Sequence, residues 1–168
     1  PEDLMAALER DIDRFRIGAV AGQAESLYSQ GRYREAAQEY VRLTNQYPES
    51  EFAPLGLFNA GLIYEQDLKE YETAMQMFER LIDDFPQSDY VDQALVRIAV
   101  NAKRFFDFDK AISTFLLLHD RGFGDPELIE YPLFDAALWM QYSQQYERAS
   151  ETYEQFTREN PRNAYAPL

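Results

Sequence analysis

Apolar side chains recur along most of this chain at helical spacing, in blocks separated by short polar turns. Between residues 57 and 64 they fall at Leu57, Ala60, Gly61 and Tyr64, the i, i+3, i+4, i+7 rhythm of one helical face. The polar turn Gln66-Asp67-Leu68-Lys69-Glu70 leads into a second run, Tyr71, Ala74, Met75, Phe78, Leu81 and Ile82, which ends at Phe85-Pro86. The same two-part pattern returns at Leu95, Ile98, Ala99 and Ala102, then Phe108, Ala111, Phe115 and Leu118. It returns again at Leu133, Ala136, Ala137 and Met140, then Tyr146, Ala149, Tyr153 and Phe156. A weaker first copy places Val20, Gln23, Ala24 and Leu27 on the leading helix. Small residues at Ala60, Gly61 and Ala74 predict paired helices whose backbones approach closely, with aromatic rings filling the space beside them.

The register of the copies is tight. Ala36-x3-Tyr40, Ala74-x3-Phe78, Ala111-x3-Phe115 and Ala149-x3-Tyr153 follow one another at 38, 37 and 38 residues. An aromatic precedes each alanine by three (Tyr33, Tyr71, Phe108, Tyr146), and Leu43, Leu81, Leu118 and Phe156 close each unit. One segment copied four times predicts an all-α solenoid in which each unit buries its apolar face against its neighbours. The expected divisions are 18–48, 49–86, 87–124 and 125–161. Over 1–17, Leu4, Leu8, Ile12 and Phe15 form one helical stripe, which either extends the first helix of the first unit or is a remnant of an earlier unit, with a break expected at Gly18. The segment 162–168 opens a further unit, because Tyr165-Ala166-Pro167-Leu168 repeats Phe52-Ala53-Pro54-Leu55.

Two linkers share the form [YF]-P-x-S-x-[YF]: Tyr47-Pro48-Glu49-Ser50-Glu51-Phe52 and Phe85-Pro86-Gln87-Ser88-Asp89-Tyr90, with Asn160-Pro161-Arg162-Asn163-Ala164-Tyr165 close to them. Proline is expected to stop the preceding helix and Ser or Asn to cap the next. The linker at 119–132 differs. It carries Gly122, Gly124, Pro126 and Pro132, and predicts an N-cap at Asp125-Pro126 and a helix that starts or kinks at Pro132. Its alternatives are a differently capped junction and a hinge.

The combined pattern, best kept as Leu57-x2-Ala60-Gly61-x2-Tyr64, Ala74-x3-Phe78 and Pro86, resembles the tetratricopeptide repeat. It departs from the family in a period of 37 or 38 instead of about 34 and in Leu or Val where a tryptophan leads. The resemblance implies a right-handed superhelix of about four helix pairs, with the first helix of each pair lining a concave side. The long period and proline–serine linker are similar to repeats of bacterial periplasmic lipoproteins that assemble outer-membrane proteins. That likeness implies a cell-envelope location, in the periplasm or at the outer-membrane periphery, with the cytoplasm as the alternative.

Composition removes several classes of function. No run approaches the about 18 to 20 apolar residues of a membrane helix, so no membrane insertion is expected of this stretch. The absence of cysteine excludes disulfides and thiolate chemistry. The net charge of −14 is concentrated in residues 47–92, which hold 11 acidic and 2 basic side chains. Such a chain repels phosphate, so nucleic acid is not an expected partner. The acidic stretch is either a solvated face or a surface for a basic partner.

Chemistry finds little footing. His119 has no histidine or cysteine at metal-ligand spacing and reads as a helix-end residue. Asp83 and Asp84 are adjacent and so do not share a helical face. Gly122-Phe123-Gly124 lacks the strand–loop–helix context of a phosphate cradle. No enzyme activity, cofactor or metal is expected. The candidate site is a protein-binding groove. Alignment of the first helices pairs Phe58 with Val96 and Phe134, and Leu62 with Val100 and Leu138, one step around from the packing stripe. Ala21 and Glu25 hold these places in the first copy. An exposed strip of this kind suits a partner helix or extended peptide, whereas tight packing of neighbouring first helices would bury it. Repeats of the family that clamp carboxylate termini line the groove with Lys, Arg and Asn. Here only Arg97, Lys103 and Arg104 are basic in that region, so no such clamp is expected. Two alternatives to a binding scaffold stand: a structural spacer, and an accessory domain of a protein whose activity lies elsewhere.

Overall fold

The computed structural model of the protein describes residues 2–123 and 131–162, and these form eight α-helices with no strand among them. They fall into two compact units, 1–91 and 92–168. Unit 1 contains α1 (Glu2–Ser29), α2 (Tyr33–Gln46), α3 (Ala53–Gln66) and α4 (Tyr71–Asp84), each packed on the next. Unit 2 contains α5 (Val91–Phe105, opening at the boundary), α6 (Phe108–Asp120), α7 (Pro132–Tyr142) and α8 (Tyr146–Glu159). There α7 packs on both α6 and α8.

Most of the periodic residues form the core, with Tyr146 and Gln23 as exposed exceptions. Ala36, Ala74, Ala111 and Ala149 are buried, as are Leu43, Leu81, Leu118 and Phe156. The leading helices bury Leu57, Ala60 and Tyr64, then Leu95, Ile98, Ala99 and Ala102, then Leu133, Ala136, Ala137 and Met140. Glycine at 61 is a requirement of this packing, because a Cβ there would stand 2.5 Å from the Phe78 ring. At Gly56 an added Cβ would meet the Tyr40 carbonyl oxygen and the Thr44 hydroxyl, both at 2.8 Å. That same Thr44 Oγ1 donates to the Ala53 carbonyl at 2.8 Å and ties α2 to the start of α3.

A repeated turn joins the helices of each pair. Gly31, Lys69, Phe106 and Gln144 all have positive φ, between 57° and 74°. Each lies five residues before a repeat alanine. The residue after each one donates its N–H back into the preceding helix, as Arg32→Leu27, Glu70→Tyr64, Asp107→Ala102 and Gln145→Met140. Only the first of these positions is a glycine, so three L-residues adopt the left-handed region to keep the turn.

The linkers behave differently from the expected N-capping. Both helices that precede a P-x-S linker stop before the proline, at C-caps Tyr47 and Phe85 with φ near −133°, because a proline ring disfavours helical geometry in the residue before it. Ser50 and Ser88 do not cap the next helix. Their hydroxyls accept from the N–H of Phe52 (3.1 Å) and Tyr90 (3.2 Å), which staples the linker turn itself. Phe52, at the N-cap of α3, makes no side-chain cap. A true side-chain cap occurs at Asp107, which accepts from the N–H of Lys110. Pro132 begins α7 as expected, while Asp125-Pro126 lies outside the described residues.

The break expected at Gly18 does not occur. α1 runs through it from Glu2 to Ser29, since one glycine costs only about 1 kcal/mol in a helix interior. Of its leading stripe, Ile12 and Phe15 are exposed, Phe15 by 80%; the side chains of Leu4 and Leu8 lie outside those described. Phe156, which closes the fourth unit, is buried against Tyr131 and Phe134 at 5.4 Å each.

Candidate functional site: the groove of the leading helices

Unit 1 holds an open cavity of about 280 Å³ where α1 and α3 lie on α2. Glu25 and Tyr28 reach it from α1, Tyr40 from α2, and Asn59, Leu62, Ile63 and Gln66 from α3, with Asp67 at the α3 C-cap. Helical spacing explains the set: Asn59, Leu62, Ile63 and Gln66 are i, i+3, i+4, i+7 on one face of α3, and Glu25 and Tyr28 are three apart on α1. The Tyr28 hydroxyl points to Asp67 Oδ1 at 3.5 Å, at the outer limit of a hydrogen bond. Its ring meets Tyr33 edge-on at 5.2 Å. The Asp67 charge, aided by partial burial, raises the Tyr28 hydroxyl above the ordinary tyrosine pKa. Burial first, and then the Glu25 charge, raise Tyr40, against the opposing hydrogen bond from Asn59. The cavity is therefore electronegative, with an aromatic and aliphatic wall.

A larger hollow of about 900 Å³ opens between the two linker turns of the same unit. Its lining is turn residues such as Pro48, Ser50, Pro86 and Ser88, with Arg80 hydrogen-bonded to Asn45 and paired with Asp84. It is a by-product of stacking two similar linkers, and its cation already has partners.

In unit 2, Lys103 on α5 reaches Asp135 on α7 at 3.4 Å and stands 5.6 Å over the Phe115 ring. Burial pushes the Asp135 carboxyl above its ordinary value, and the Lys103 charge and hydrogen bond pull it back. Around the turn that joins α5 to α6, Phe106, Phe108, Trp139 and Tyr142 form a chain of ring contacts from 5.6 to 6.5 Å.

The six strip residues divide. Phe58 is 7% exposed, held between the rings of Phe78 (5.8 Å) and Tyr90 (5.3 Å), and Val96 is 3% exposed. These two belong to the core of their units. Leu62, Val100, Phe134 and Leu138 are half-buried, and Phe134 leans on Tyr153 and Phe156. Leu62 lies in the cavity wall, beside Glu25, its register mate in the first copy. Tyr28, Asn59, Gln66 and Asp67 were not singled out from the sequence. The signal for Tyr28 was available, one helical turn beyond Glu25.

His119 sits in the last turn of α6, its Nε2 3.4 Å from a Glu159 carboxylate oxygen. Among the described residues no cluster of His, Asp or Glu is arranged to hold a metal, and no helix is long and apolar enough to cross a membrane.

Stacked helix pairs, a left-handed joining turn and a groove between leading helices define a helical-repeat protein. Two segments, 22–50 and 56–88, match the tetratricopeptide repeat family; the first covers the end of α1 with α2, the second α3 with α4, and the cavity is lined from α1, α2 and α3. Repeats of that family mediate protein–protein contacts and are in general non-catalytic scaffolds. Comparison with curated proteins finds no match to the chain.

Proposed function

We propose that this chain is a non-catalytic scaffold that presents a groove on its leading helices to a protein or peptide partner, in a bacterial cell-envelope assembly or transport system. The observation that carries the reading is the cavity between α1 and α3. It is open, mixed apolar and polar, and built from the helices that the repeat pattern assigns to the groove. In unit 1 the half-buried Leu62 adds apolar surface to the cavity wall, and within unit 2 Val100, Phe134 and Leu138 are likewise half-buried. The envelope setting, at the periplasm or the outer-membrane periphery, rests on the proline–serine linkers and the long period.

Leu62→Asp and Val100→Asp test the groove. Each places a charge at a half-buried position, so melting should fall modestly, by roughly 1 kcal/mol of stability, while peptide capture is lost. Val96→Asp is the control, since burying a charge in the core should cost several kcal/mol, on the order of 3 or more. Collapse of the Val100→Asp fold, matching Val96→Asp, would sink the groove. Fractionation of cells that express the full-length protein tests the setting, and a purely cytosolic protein refutes it.

A further inference from the structure

We propose that the cavity between α1 and α3 is an arginine-binding pocket, which takes one guanidinium from an extended basic segment of the partner between Glu25 and Asp67. This deepens the scaffold reading and rests on it.

Four observations converge. First, the size suits a side chain: about 280 Å³ lies just below the roughly 300–1,000 Å³ of pockets for whole small ligands. Second, the polar lining is rich in acceptors. Glu25 and Asp67 supply carboxylates, and Asn59 and Gln66 supply amide oxygens. A guanidinium presents five donors and no acceptor. Third, the wall is aromatic and aliphatic. The exposed Tyr28 offers a ring to a planar cation, Tyr40 closes the wall behind it, and Leu62 offers a surface to its methylene stem.

Fourth, the negative charge has no cation of its own. Among the described residues no lysine or arginine lies within ion-pair distance of Glu25 or Asp67. The neighbouring arginines are committed elsewhere, Arg32 to Glu35 and Arg34 to Glu70. Asp67 is the main cause that raises the Tyr28 hydroxyl, while burial, and only then Glu25, raises Tyr40. Residues 47–91, half of this unit, hold 10 acidic side chains, Asp67 among them, against 2 basic ones. The surroundings therefore attract a basic segment before the pocket selects its arginine. Arginine is preferred over lysine because it can bind carboxylate in a fork and stack on a ring at the same time.

The test is selection of random peptides displayed against the intact chain, followed by calorimetric titration of a recovered peptide. Arginine should be enriched at one position. Its replacement by citrulline, nearly the same shape without the charge, should weaken binding by on the order of tenfold. Glu25→Gln and Asp67→Asn should each weaken the arginine peptide, and in the double variant citrulline and arginine should bind alike. Glu25 is exposed, so the single Glu25→Gln protein keeps the comparison open should the double variant fold poorly. Recovered peptides without arginine, or a citrulline penalty that survives both substitutions, overturn the pocket and leave the scaffold standing. Recovery of no peptide overturns the scaffold and the pocket with it.

Discussion

Glycines 22, 31 and 56 occupy three physically different situations. Gly22 lies inside α1 with nothing within 4 Å of an added Cβ, so Gly22→Ala should stabilise by roughly 0.5–1 kcal/mol through lower chain entropy alone. Gly31 has equally open space but a φ of 74°, so Gly31→Ala should destabilise by about 1–2 kcal/mol, all of it backbone strain. At Gly56 the obstacle includes a backbone carbonyl that cannot rotate away, and Gly56→Ala should cost roughly 1–3 kcal/mol by overpacking. Urea titration of the three variants checks the ordering; a destabilised Gly22→Ala or a neutral Gly56→Ala contradicts it. Phe106 shows that the same left-handed position tolerates a bulky residue. It is 69% exposed, and its ring lies 6.2 Å from Trp139, a contact that offsets part of the strain.

Between elements, Asp135 is the side chain whose charge state bears most directly on packing. It joins α7 to α5 through Lys103, and burial outweighs that cation in holding its pKa up. A carboxyl raised in the folded state binds its proton more tightly there than in the unfolded chain. Its contribution is complete below the unfolded value of about 3.9 and is lost as pH rises through the higher folded value. The melting temperature of Asp135→Asn relative to wild type should therefore climb as pH is raised from about 3.5 to 6. A difference that stays flat with pH removes burial as the dominant influence. The linkers teach a related lesson. Proline-serine pairs suggested helix stop and helix cap, and the stop holds because the constraint is local to the residue before proline. The cap failed because the Ser50 hydroxyl is taken by the Phe52 N–H, one residue ahead of α3, while it is the Ser50 backbone carbonyl that accepts from the Ala53 N–H.

For the molecule as a whole, far-ultraviolet circular dichroism should show helix and essentially no strand, since every described element is α-helical; a substantial β signal would refute the fold. All-helical class, pairing of helices, and the repeated core positions were determined by the sequence alone, whereas the buried Ile17, Ile63, Val91, Ile112 and Trp139 were not marked by the repeat. A period of 3.6 with alanine at the crossing and an aromatic a turn later leaves one way to bury both. The left-handed turns were not legible, because Lys69, Phe106 and Gln144 are residues that would ordinarily avoid that geometry, and only a closed helix pair forces it on them. The strip was legible as a register but not as a surface. Phe58 and Val96 were indistinguishable by spacing from Leu62 and Val100, and what separated them was whether another ring, such as Tyr90 over Phe58, lies on top. The cavity was likewise a tertiary decision. Glu25 and Asp67 stand 42 positions apart in the chain, and they face one another's field only because α1 and α3 lie on the same helix, α2.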